Sequence, residues 1–477
     1  MRSLSLKEIA EVTGGKPAGE WARLSVTSVG TDTRLLRSGD LFVALRGPNH
    51  DANGFLDDAA RGGAKAAVAS SKSPLAADFH SRNPEFPLVL VKDTLEALVA
   101  LAAHVRQSLD IDAVGITGTT GKTCTKDMLV SILSRDRGVA GSKGSFNNEV
   151  GIPLTVFGVR KKDSVLVAEM GARRPGDIRR LAEVVRPRIG IITNVGPGHL
   201  ELFKTEETVA NTKAELARCL PEEGNLLLNA ADPWSRKIAR QTRARVTLFG
   251  AGRGSEYRAR GVTTDGDARP SFAIRGPGLE VEVRLNAIGR HQVDNALAAA
   301  ACAHLMGAGA SEIKAGLEKA KLSAWRTERT VCTGGCTVIN DAYNANPRSM
   351  EAALNTLVDA SGARRSVAVL GGMAELGSKS DDFHREVGMK AAELDIDLLI
   401  TVGKRARAIA SGAIEGGLPR GSVFRCNDVP GAIDLLSCLL EPEDVVLVKA
   451  SRAMGLETLP ARIASPAFVQ GKPVADV

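Results

Sequence analysis

Residues 115–127 read GITGTTGKTCTKD, and this stretch decides the fold of the middle of the chain. The apolar run AVGIT (113–117) predicts a buried strand, and KTCTKDMLVSIL (122–133) has the spacing of an amphipathic helix. A strand, a glycine turn and a helix N-terminus in this order direct backbone N–H groups and the helix dipole at one point, which favours a phosphate. The usual G-x-x-x-x-G-K-[ST] loop has a glycine where this chain has Ile116, so a plain turn with a solvated lysine is the alternative.

The order of the loop residues matches the needs of a triphosphate. Lys122 follows the second glycine and can neutralise phosphate oxygens, and the Thr123 hydroxyl can ligate magnesium. We therefore predict a nucleotide site formed by Gly118, Thr119, Thr120, Gly121, Lys122 and Thr123.

The chain on both sides of the loop alternates apolar strands with helical segments. SVLVAEM (164–170), IGIITNV (189–195) and NLLLN (225–229) predict further strands of a parallel, doubly wound sheet, and alternating stretches over 251–288 predict hairpins beside it. The first ninety residues predict a small separate α/β module. A second βα series predicts a Rossmann-like domain, with strands in TVINDAY (337–343), SVAVLGG (366–372), DLLITVG (397–403) and VVLVKAS (445–451). The predicted fold is α/β with three domains, at 1–92, 93–325 and 326–477.

Composition excludes several classes of protein. Of the 477 residues, 44% are hydrophobic and 25% charged, which is ordinary for a globular protein, and the 4% aromatic content leaves few rings to stack on nucleic-acid bases. The net charge of +7 is spread along the chain and fits small anionic substrates. Cysteines lack zinc-site spacing, and neither a signal peptide nor a run of ~18 apolar residues is present. We expect a cytoplasmic protein with reduced thiols, no transmembrane segment and no nucleic-acid partner.

Candidate metal ligands follow the predicted strands. Glu169 ends one strand and His199 follows another, so both should lie at the sheet edge that carries the phosphate loop, where a magnesium ion can bind. Lys213 lies on the next helix, and as an ammonium it would repel that metal, so the residues alone favour a solvated lysine. Asn147 and Asn148 can hold substrate oxygens or simply form a turn.

An ordered set of motifs resembles the Mur ligases of peptidoglycan synthesis over essentially the whole chain. The motifs are GTTGKT, VAEMGAR, GPGHLE, NTKAE, GRHQVDNALAA (289–299), NDAYNANPRSM (340–350), GGMAELG (371–377) and VKASR (448–452). The phosphate loop of that family, T-G-[TS]-x-G-K-[TS], dispenses with the earlier glycine, so Ile116 is normal there. SFNNEVGIP (145–153) and the last three motifs resemble the branch that adds a dipeptide.

The resemblance implies roles for further residues. The lysine similar to Lys213 is carbamylated in the family and ligates a second magnesium ion, alongside Thr123, Glu169 and His199. Asn295 would read the adenine, and Arg326 and Asp341 would hold ATP from the third domain. Dipeptide contacts are implied for Tyr343, Asn344, Asn346, Lys449, Ser451 and Arg452. Uridine-diphosphate contacts are implied for Ser28, Asp32, Thr33, Arg34 and Gly47, within TSVGTDTR (27–34) and FVALRGPNHDANGF (42–55).

The implied reaction is amide formation driven by ATP and one or two magnesium ions. The catalytic residues would be Lys122, Lys213 and His199, the substrates UDP-N-acetylmuramoyl-tripeptide and D-alanyl-D-alanine, and the enzyme a monomer. A sister ligase that adds one amino acid and a folylpolyglutamate synthetase are the nearest alternatives. A P-loop regulator or ATPase that forms no amide is the alternative from another class.

Overall fold

The structure is a computed structural model that describes residues 2–19, 24–47, 50–465 and 468. Its N-terminal part contains β1 (Leu4–Ser5), α1 (Leu6–Thr13), β2 (Lys16–Ala18), β3 (Ser25–Val26), β4 (Ser28–Gly30), β5 (Asp40–Val43), α2 (Leu56–Arg61), β6 (Ala66–Ser70), α3 (Pro74–Arg82) and β7 (Leu88–Val91). Strands β4 to β7 pair in parallel, β2 pairs antiparallel with β7, and β1 pairs with β3. Residues 48 and 49 of the predicted uridine segment lie outside the described part.

A long helix joins this part to the middle of the chain. Helix α4 (Thr94–Gln107) begins at Asp93, whose carboxylate accepts hydrogen bonds from the N–H groups of Leu95 and Glu96. Its buried face shares one hydrophobic core with residues of both neighbouring sheets, such as Val68 and Leu166. The N-terminal sheet is therefore distinct, and α4 packs it against the central sheet.

The central part is a parallel sheet covered on both faces. It contains β8 (Asp112–Thr117), α5 (Lys122–Leu133), β9 (Gly138–Gly141), α6 (Gly151–Phe157), β10 (Asp163–Glu169), α7 (Asp177–Val185), β11 (Ile189–Ile192), α8 (Leu200–Phe203), α9 (Glu206–Cys219), β12 (Asn225–Asn229), α10 (Ser235–Ala239) and β13 (Arg245–Phe249). The strand order is β13-β12-β11-β8-β10-β9. Alternate residues of one strand, such as Val165 and Leu166, enter different cores, which is the pattern of a doubly wound sheet.

An antiparallel sheet packs beside this one. It contains β14 (Arg258–Thr264), β15 (Pro270–Gly276) and β16 (Leu279–Arg284), and is followed by α11 (Gln292–Leu305) and α12 (Ala310–Glu318). Phe272 and Ile274 of β15 share a core with the alanine-rich α11, which confirms the predicted hairpins.

The C-terminal part is a second parallel sheet with one antiparallel edge. It contains β17 (Glu328–Val331), β18 (Thr337–Asn340), α13 (Pro347–Ser361), β19 (Ser366–Gly371), α14 (Ser380–Glu393), β20 (Leu398–Val402), α15 (Arg407–Glu415), β21 (Val423–Cys426), α16 (Val429–Leu439), β22 (Val445–Lys449) and α17 (Leu459–Ile463). The order is β17-β18-β22-β19-β20-β21, with β17 antiparallel. The predicted α/β fold with a Rossmann-like C-terminal sheet is confirmed. Among the described helices, none has both the length and the apolar character needed to cross a membrane.

Candidate active site

A cleft of about 1070 Å³ lies between the central and C-terminal sheets. The phosphate loop forms one side, the carboxyl ends of the central strands form the floor, and segments of the C-terminal sheet form the opposite side. The predicted site residues that line the cleft are Gly118, Thr119, Thr120, Gly121, Lys122, Thr123, Asn147, Asn148, Glu169, His199, Lys213, Asn295, Arg326, Asp341, Tyr343, Asn344, Asn346, Lys449, Ser451 and Arg452. Residues from three parts of the prediction, namely phosphate, metal and dipeptide contacts, thus share one cavity.

The two glycines of the phosphate loop are required by their surroundings. Gly118 has a φ of 143°, and a Cβ there would lie 2.0 Å from the hydroxyl oxygen of Thr193. Gly121 has a φ of 80°, and its Cβ would lie 2.2 Å from Oδ1 of Asn295. Both positions combine a left-handed backbone with a close approach that other residues cannot make. The alternative of a plain surface turn does not account for these contacts.

Two residues that follow β11 hold the phosphate loop by hydrogen bonds. The sequence analysis did not select them. Asn194 accepts hydrogen bonds from the Thr119 N–H at its backbone oxygen (2.9 Å) and from the Thr120 N–H at Oδ1 (3.0 Å). The Thr193 hydroxyl donates to the Thr120 backbone oxygen at 2.5 Å. The signal was present in the sequence, because the pair directly follows a buried strand at the same sheet edge.

Lys122 points into the curve of its own loop. Its Nζ donates to the backbone oxygens of Gly118 (2.8 Å) and Thr119 (3.1 Å). Burial lowers the pKa of Lys122, and the nearby carboxylate of Glu169 acts in the opposite direction. The ammonium is thus placed where the loop N–H groups converge, as phosphate binding requires.

Thr123 and Glu169 present oxygen atoms to the same region. The Thr123 hydroxyl lies 3.3 Å from Nη2 of Arg326, which comes from the domain junction. Glu169 Oε1 accepts a hydrogen bond from Asn147 Nδ2 at 2.8 Å, whereas Oε2 is buried without a hydrogen-bond partner. A buried carboxylate oxygen left unpaired needs a cation or donor, so this pair fits a magnesium ion.

The donor set suits magnesium better than a transition metal. The described residues contain no group of three or more His, Cys, Asp or Glu side chains spaced to enclose a metal. Magnesium commonly takes only one or two protein carboxylates and completes its shell with phosphate oxygens and water. Thr123, Glu169 and His199 therefore fit an ion that arrives with a nucleotide.

His199 lies at the junction of the two sheets. Its backbone φ is 56°, and its Nδ1 is hydrogen-bonded to a carboxylate oxygen of Glu375 in the loop after β19. Burial lowers the pKa of His199, although the hydrogen bond to Glu375 and the charge of its carboxylate act in the opposite direction. A lowered pKa favours the neutral imidazole, which is the form that binds metals.

Lys213 is buried, so the interpretation as a solvated lysine is wrong. Only 3% of the residue is exposed, and it lines the cleft from α9. Burial, reinforced by the charge of Lys122, lowers the pKa of Lys213 to about 7. Near neutral pH a large fraction of this amine is therefore unprotonated and nucleophilic.

The residues at the junction into the C-terminal sheet form a stack of rings and guanidinium groups. Arg326 lies 4.1 Å above the Tyr343 ring, and Arg452 lies 4.2 Å above the Trp325 ring. The rings of Trp325 and Tyr343 are stacked 6.5 Å apart. Cation–π contacts of this kind hold guanidinium groups in fixed positions, so Arg326 and Arg452 are oriented towards the cleft before any ligand binds.

Asp341 is already engaged by neighbouring groups. Lys449 Nζ donates to Asp341 Oδ2 at 2.5 Å and to the Asn344 backbone oxygen at 3.0 Å. The Thr327 N–H donates to Asp341 Oδ1 at 3.2 Å. These bonds connect the junction, the YNAN segment and β22, and they orient the carboxylate within the cleft.

Several residues that were predicted to contact substrate or nucleotide also form hydrogen bonds within the protein. Asn346 Oδ1 caps α13, Asn148 Oδ1 accepts from the Gly151 N–H at the start of α6, and Ser451 Oγ accepts from the Ala374 N–H at 2.8 Å. Asn295 donates from Nδ2 to Gln292 at 2.8 Å and packs against Gly121. Their side chains are therefore positioned by bonds that need no ligand.

The predicted uridine-diphosphate residues lie outside this cleft, in the N-terminal sheet and its loops. Asp32 accepts from the Arg34 N–H at 3.0 Å and forms an ion pair with the Arg34 side chain. The Gly47 N–H donates to the His50 oxygen at 2.8 Å. Neither these residues nor Ser28 and Thr33 line the cavity, so one molecule would have to extend from the cleft to reach them.

Comparison with known proteins agrees with this geometry. Residues 116–303 match the Mur ligase middle domain, and residues 325–452 match the Mur ligase, glutamate ligase domain. A UDP-N-acetylmuramoyl-tripeptide--D-alanyl-D-alanine ligase of Mycobacterium tuberculosis is 37% identical, with 96% of each chain covered. A ligase of the same name from Bacillus subtilis is 32% identical over 95% of this chain and 97% of its own.

Solved structures are similar over nearly the full length. MurF from Acinetobacter baumannii has a TM-score of 0.86 at 29% identity and covers 97% of this chain and 99% of its own. MurF from Thermotoga maritima in complex with ADP has a TM-score of 0.79 at 27% identity, with 91% and 96% covered. The resemblance inferred from the motifs is confirmed, and the chain belongs to the Mur ligase family.

Proposed function

We propose that this chain is the ATP-dependent ligase that joins D-alanyl-D-alanine to UDP-N-acetylmuramoyl-tripeptide. The observation that carries the proposal is that Lys122, Glu169, Lys213 and Arg326, predicted from separate motifs, line one cleft between two sheets. Full-length relatives at 32% to 37% identity bear the name of this activity. A cytoplasmic, monomeric enzyme is part of the proposal.

The reaction has two steps with balanced charges. The terminal carboxylate of the tripeptide attacks the γ-phosphorus of ATP, the bond to the bridging oxygen breaks, and ADP leaves. The amine of the dipeptide then attacks the acyl phosphate, and inorganic phosphate and a proton leave as the amide forms. Lys122 and Arg326 would stabilise the negative charge on the transferred phosphoryl group, which is the main source of rate in such reactions.

One or two magnesium ions would be held by Thr123, Glu169, His199 and a modified Lys213. Bound there, magnesium would supply positive charge to the phosphate oxygens. We propose that the neutral Lys213 amine takes up carbon dioxide to form a carbamate and release a proton. The product is an anion, so it removes the repulsion between a lysine and a metal ion. The pKa of about 7 supports this step, because only the unprotonated amine reacts.

The domain boundaries at 92/93 and 325/326 are also proposed. The second falls between Trp325 and Arg326, and both Trp325 and Thr327 have positive φ angles, of 61° and 52°. Left-handed non-glycine residues are sparse and often occur at hinges or functional sites. The cleft between the sheets would exclude water from the acyl phosphate when this junction closes.

One assay tests the activity. Purified protein, ATP and magnesium are incubated with UDP-N-acetylmuramoyl-tripeptide, with or without D-alanyl-D-alanine, and phosphate and the new amide are measured. We expect amide and phosphate in equal amounts, and only with the dipeptide. Product from single D-amino acids would identify a sister ligase instead. Phosphate release without any amine acceptor would identify an ATPase and overturn the proposal.

Domain closure is measured separately by small-angle X-ray scattering. Because Arg326 and Asp341 lie across the junction from Lys122, ATP analogue and nucleotide sugar together should shift the ensemble towards a smaller radius of gyration. Protein alone and protein with UDP are the controls. An unchanged radius with both ligands would contradict closure while leaving the ligase assay unaffected.

A further inference from the structure

A loop of the C-terminal sheet contacts the candidate metal ligand His199 directly. Glu375 follows β19, and its carboxylate oxygen Oε2 is hydrogen-bonded to His199 Nδ1. The backbone oxygen of Glu375 also accepts from the Glu201 N–H at 2.9 Å. The two partners are 176 residues apart in sequence and lie in loops that follow strands of different sheets. The contact therefore exists only when the C-terminal sheet is docked on the central one.

The backbone on both sides of the contact is held in an uncommon conformation. His199 has a φ of 56° and Glu375 a φ of 61°. Such angles are unfavourable for residues with a Cβ and persist where surrounding contacts impose them. Gly377 lies close behind, since a Cβ there would be 3.5 Å from the Glu201 backbone. Because both residues of the pair have unfavourable backbone angles, the surrounding structure must hold them in place. We therefore interpret the contact as a specific one and not as a chance surface ion pair.

The chemistry of the contact determines the tautomer of the imidazole. An ionised carboxylate only accepts hydrogen bonds, so Nδ1 must carry the proton that it donates. In the neutral ring the lone pair is then on Nε2, the nitrogen that can bind a metal. A carboxylate or carbonyl behind a ligating histidine commonly orients the ring and raises its basicity as a ligand. Both His199 and Glu375 line the cleft.

We propose that Glu375 is a positioning residue that presents Nε2 of His199 to the metal only when the C-terminal sheet is docked. The inference rests on the proposed function, because it assigns His199 to the metal of the ATP site. It links two events that otherwise are independent: docking of the sheet that carries the dipeptide residues, and completion of the metal shell at the phosphate loop. ATP bound before docking would lack one ligand of its metal.

The test uses Mn²⁺ as a paramagnetic probe in place of magnesium. Its affinity for the full-length protein is measured by electron paramagnetic resonance with a non-hydrolysable ATP analogue and the nucleotide sugar present. Glu375→Ala should weaken Mn²⁺ binding about 10- to 100-fold, the usual effect of losing such a partner. Glu375→Gln retains an acceptor oxygen and should recover most of the affinity. Glu386→Ala, an exposed carboxylate on α14, is the matched control and should change nothing.

Glu375→Ala could weaken Mn²⁺ binding by losing the orientation of His199 or by weakening the docking of the C-terminal sheet. A double-mutant cycle distinguishes these two effects. If Glu375 acts through His199, then the pair His199→Ala and Glu375→Ala should bind Mn²⁺ no more weakly than His199→Ala alone. A full additional loss in the double variant, or unchanged affinity in Glu375→Ala, overturns the proposal. Thermal unfolding of each variant confirms that it is folded.

A measurement on the unmutated protein completes the test. Nitrogen-15 NMR of labelled histidine, assigned by comparison with His199→Ala, should show the Nδ1–H tautomer in the ligand-bound state, and the Nε2–H tautomer would overturn the proposal. These readouts do not require turnover. If the protein bound Mn²⁺ as expected but formed no amide, the proposed reaction would fail and the positioning role would stand.

Discussion

Lys122→Ala is expected to lower kcat for amide formation by at least about 10³-fold, the largest effect of any single change in the chain. The Lys122 ammonium lies among the loop N–H groups, held by the Gly118 and Thr119 oxygens, where charge develops on the phosphoryl group. The interaction of its positive charge with phosphate is stronger there than on the surface, because the loop shields the half-buried side chain from part of the solvent. The measurement is ADP release under saturating substrates, together with titration of ATP analogue binding.

The control for this substitution is Lys321→Ala, an exposed lysine before the domain junction, which should retain wild-type turnover. Thermal unfolding of Lys122→Ala should change little, since a desolvated ammonium contributes no net stability to the loop. Normal turnover in Lys122→Ala would remove this residue from the mechanism and leave the loop as a turn without a phosphate.

Lys213→Ala should reduce kcat by about 10²- to 10³-fold, and added acetate or formate should restore part of the activity. The substitution leaves a cavity in the buried site where the carbamate would lie, and a short carboxylate can enter it and ligate the metal in its place. Lys237→Ala is the control, because this lysine has a side chain that is 51% exposed and pairs with Glu207. Its activity should be normal and insensitive to acetate.

The carbamate itself is measured on the unmutated protein. After incubation with carbon-13 bicarbonate, NMR should show one carbamate signal that is absent in Lys213→Ala and present in Lys237→Ala. The signal should fade as the pH falls well below about 7, because the amine becomes protonated and no longer reacts. Full activity in Lys213→Ala, or equal activity with and without carbon dioxide, would exclude the modification.

The strands that sequence analysis predicted and those it missed differ in a simple physical way. The predicted strands β8, β10, β11 and β12 are internal to the central sheet, and β18, β19, β20 and β22 are internal to the C-terminal one. The missed strands β9, β13, β17 and β21 are the edges of these sheets. An internal parallel strand is covered on both faces and has a continuous apolar sequence, whereas these edge strands are partly exposed and have a mixed one.

Some residues of the candidate site could be predicted from nearby sequence, whereas others depend on contacts between distant segments. The phosphate loop was predictable because strand, glycines, lysine and helix are adjacent in the chain, so local backbone geometry alone builds the anion site. Glu169 and His199 were predictable because residues after parallel strands share one edge. Asn194 follows a predicted strand and could have been found by the same rule. The role of Glu375 could not, because nothing in the motif GGMAELG shows that this glutamate reaches His199 from another sheet.

The sequence by itself determined the α/β class, the phosphate loop and the family, because each depends on neighbouring residues or on motif order. Only the tertiary structure decided that Lys213 is buried with a pKa of about 7, that Glu375 bonds His199, and that Arg326 reaches Thr123. Burial and contacts between distant segments depend on how whole sheets pack. The charge state of a side chain follows from that packing, which no local pattern encodes.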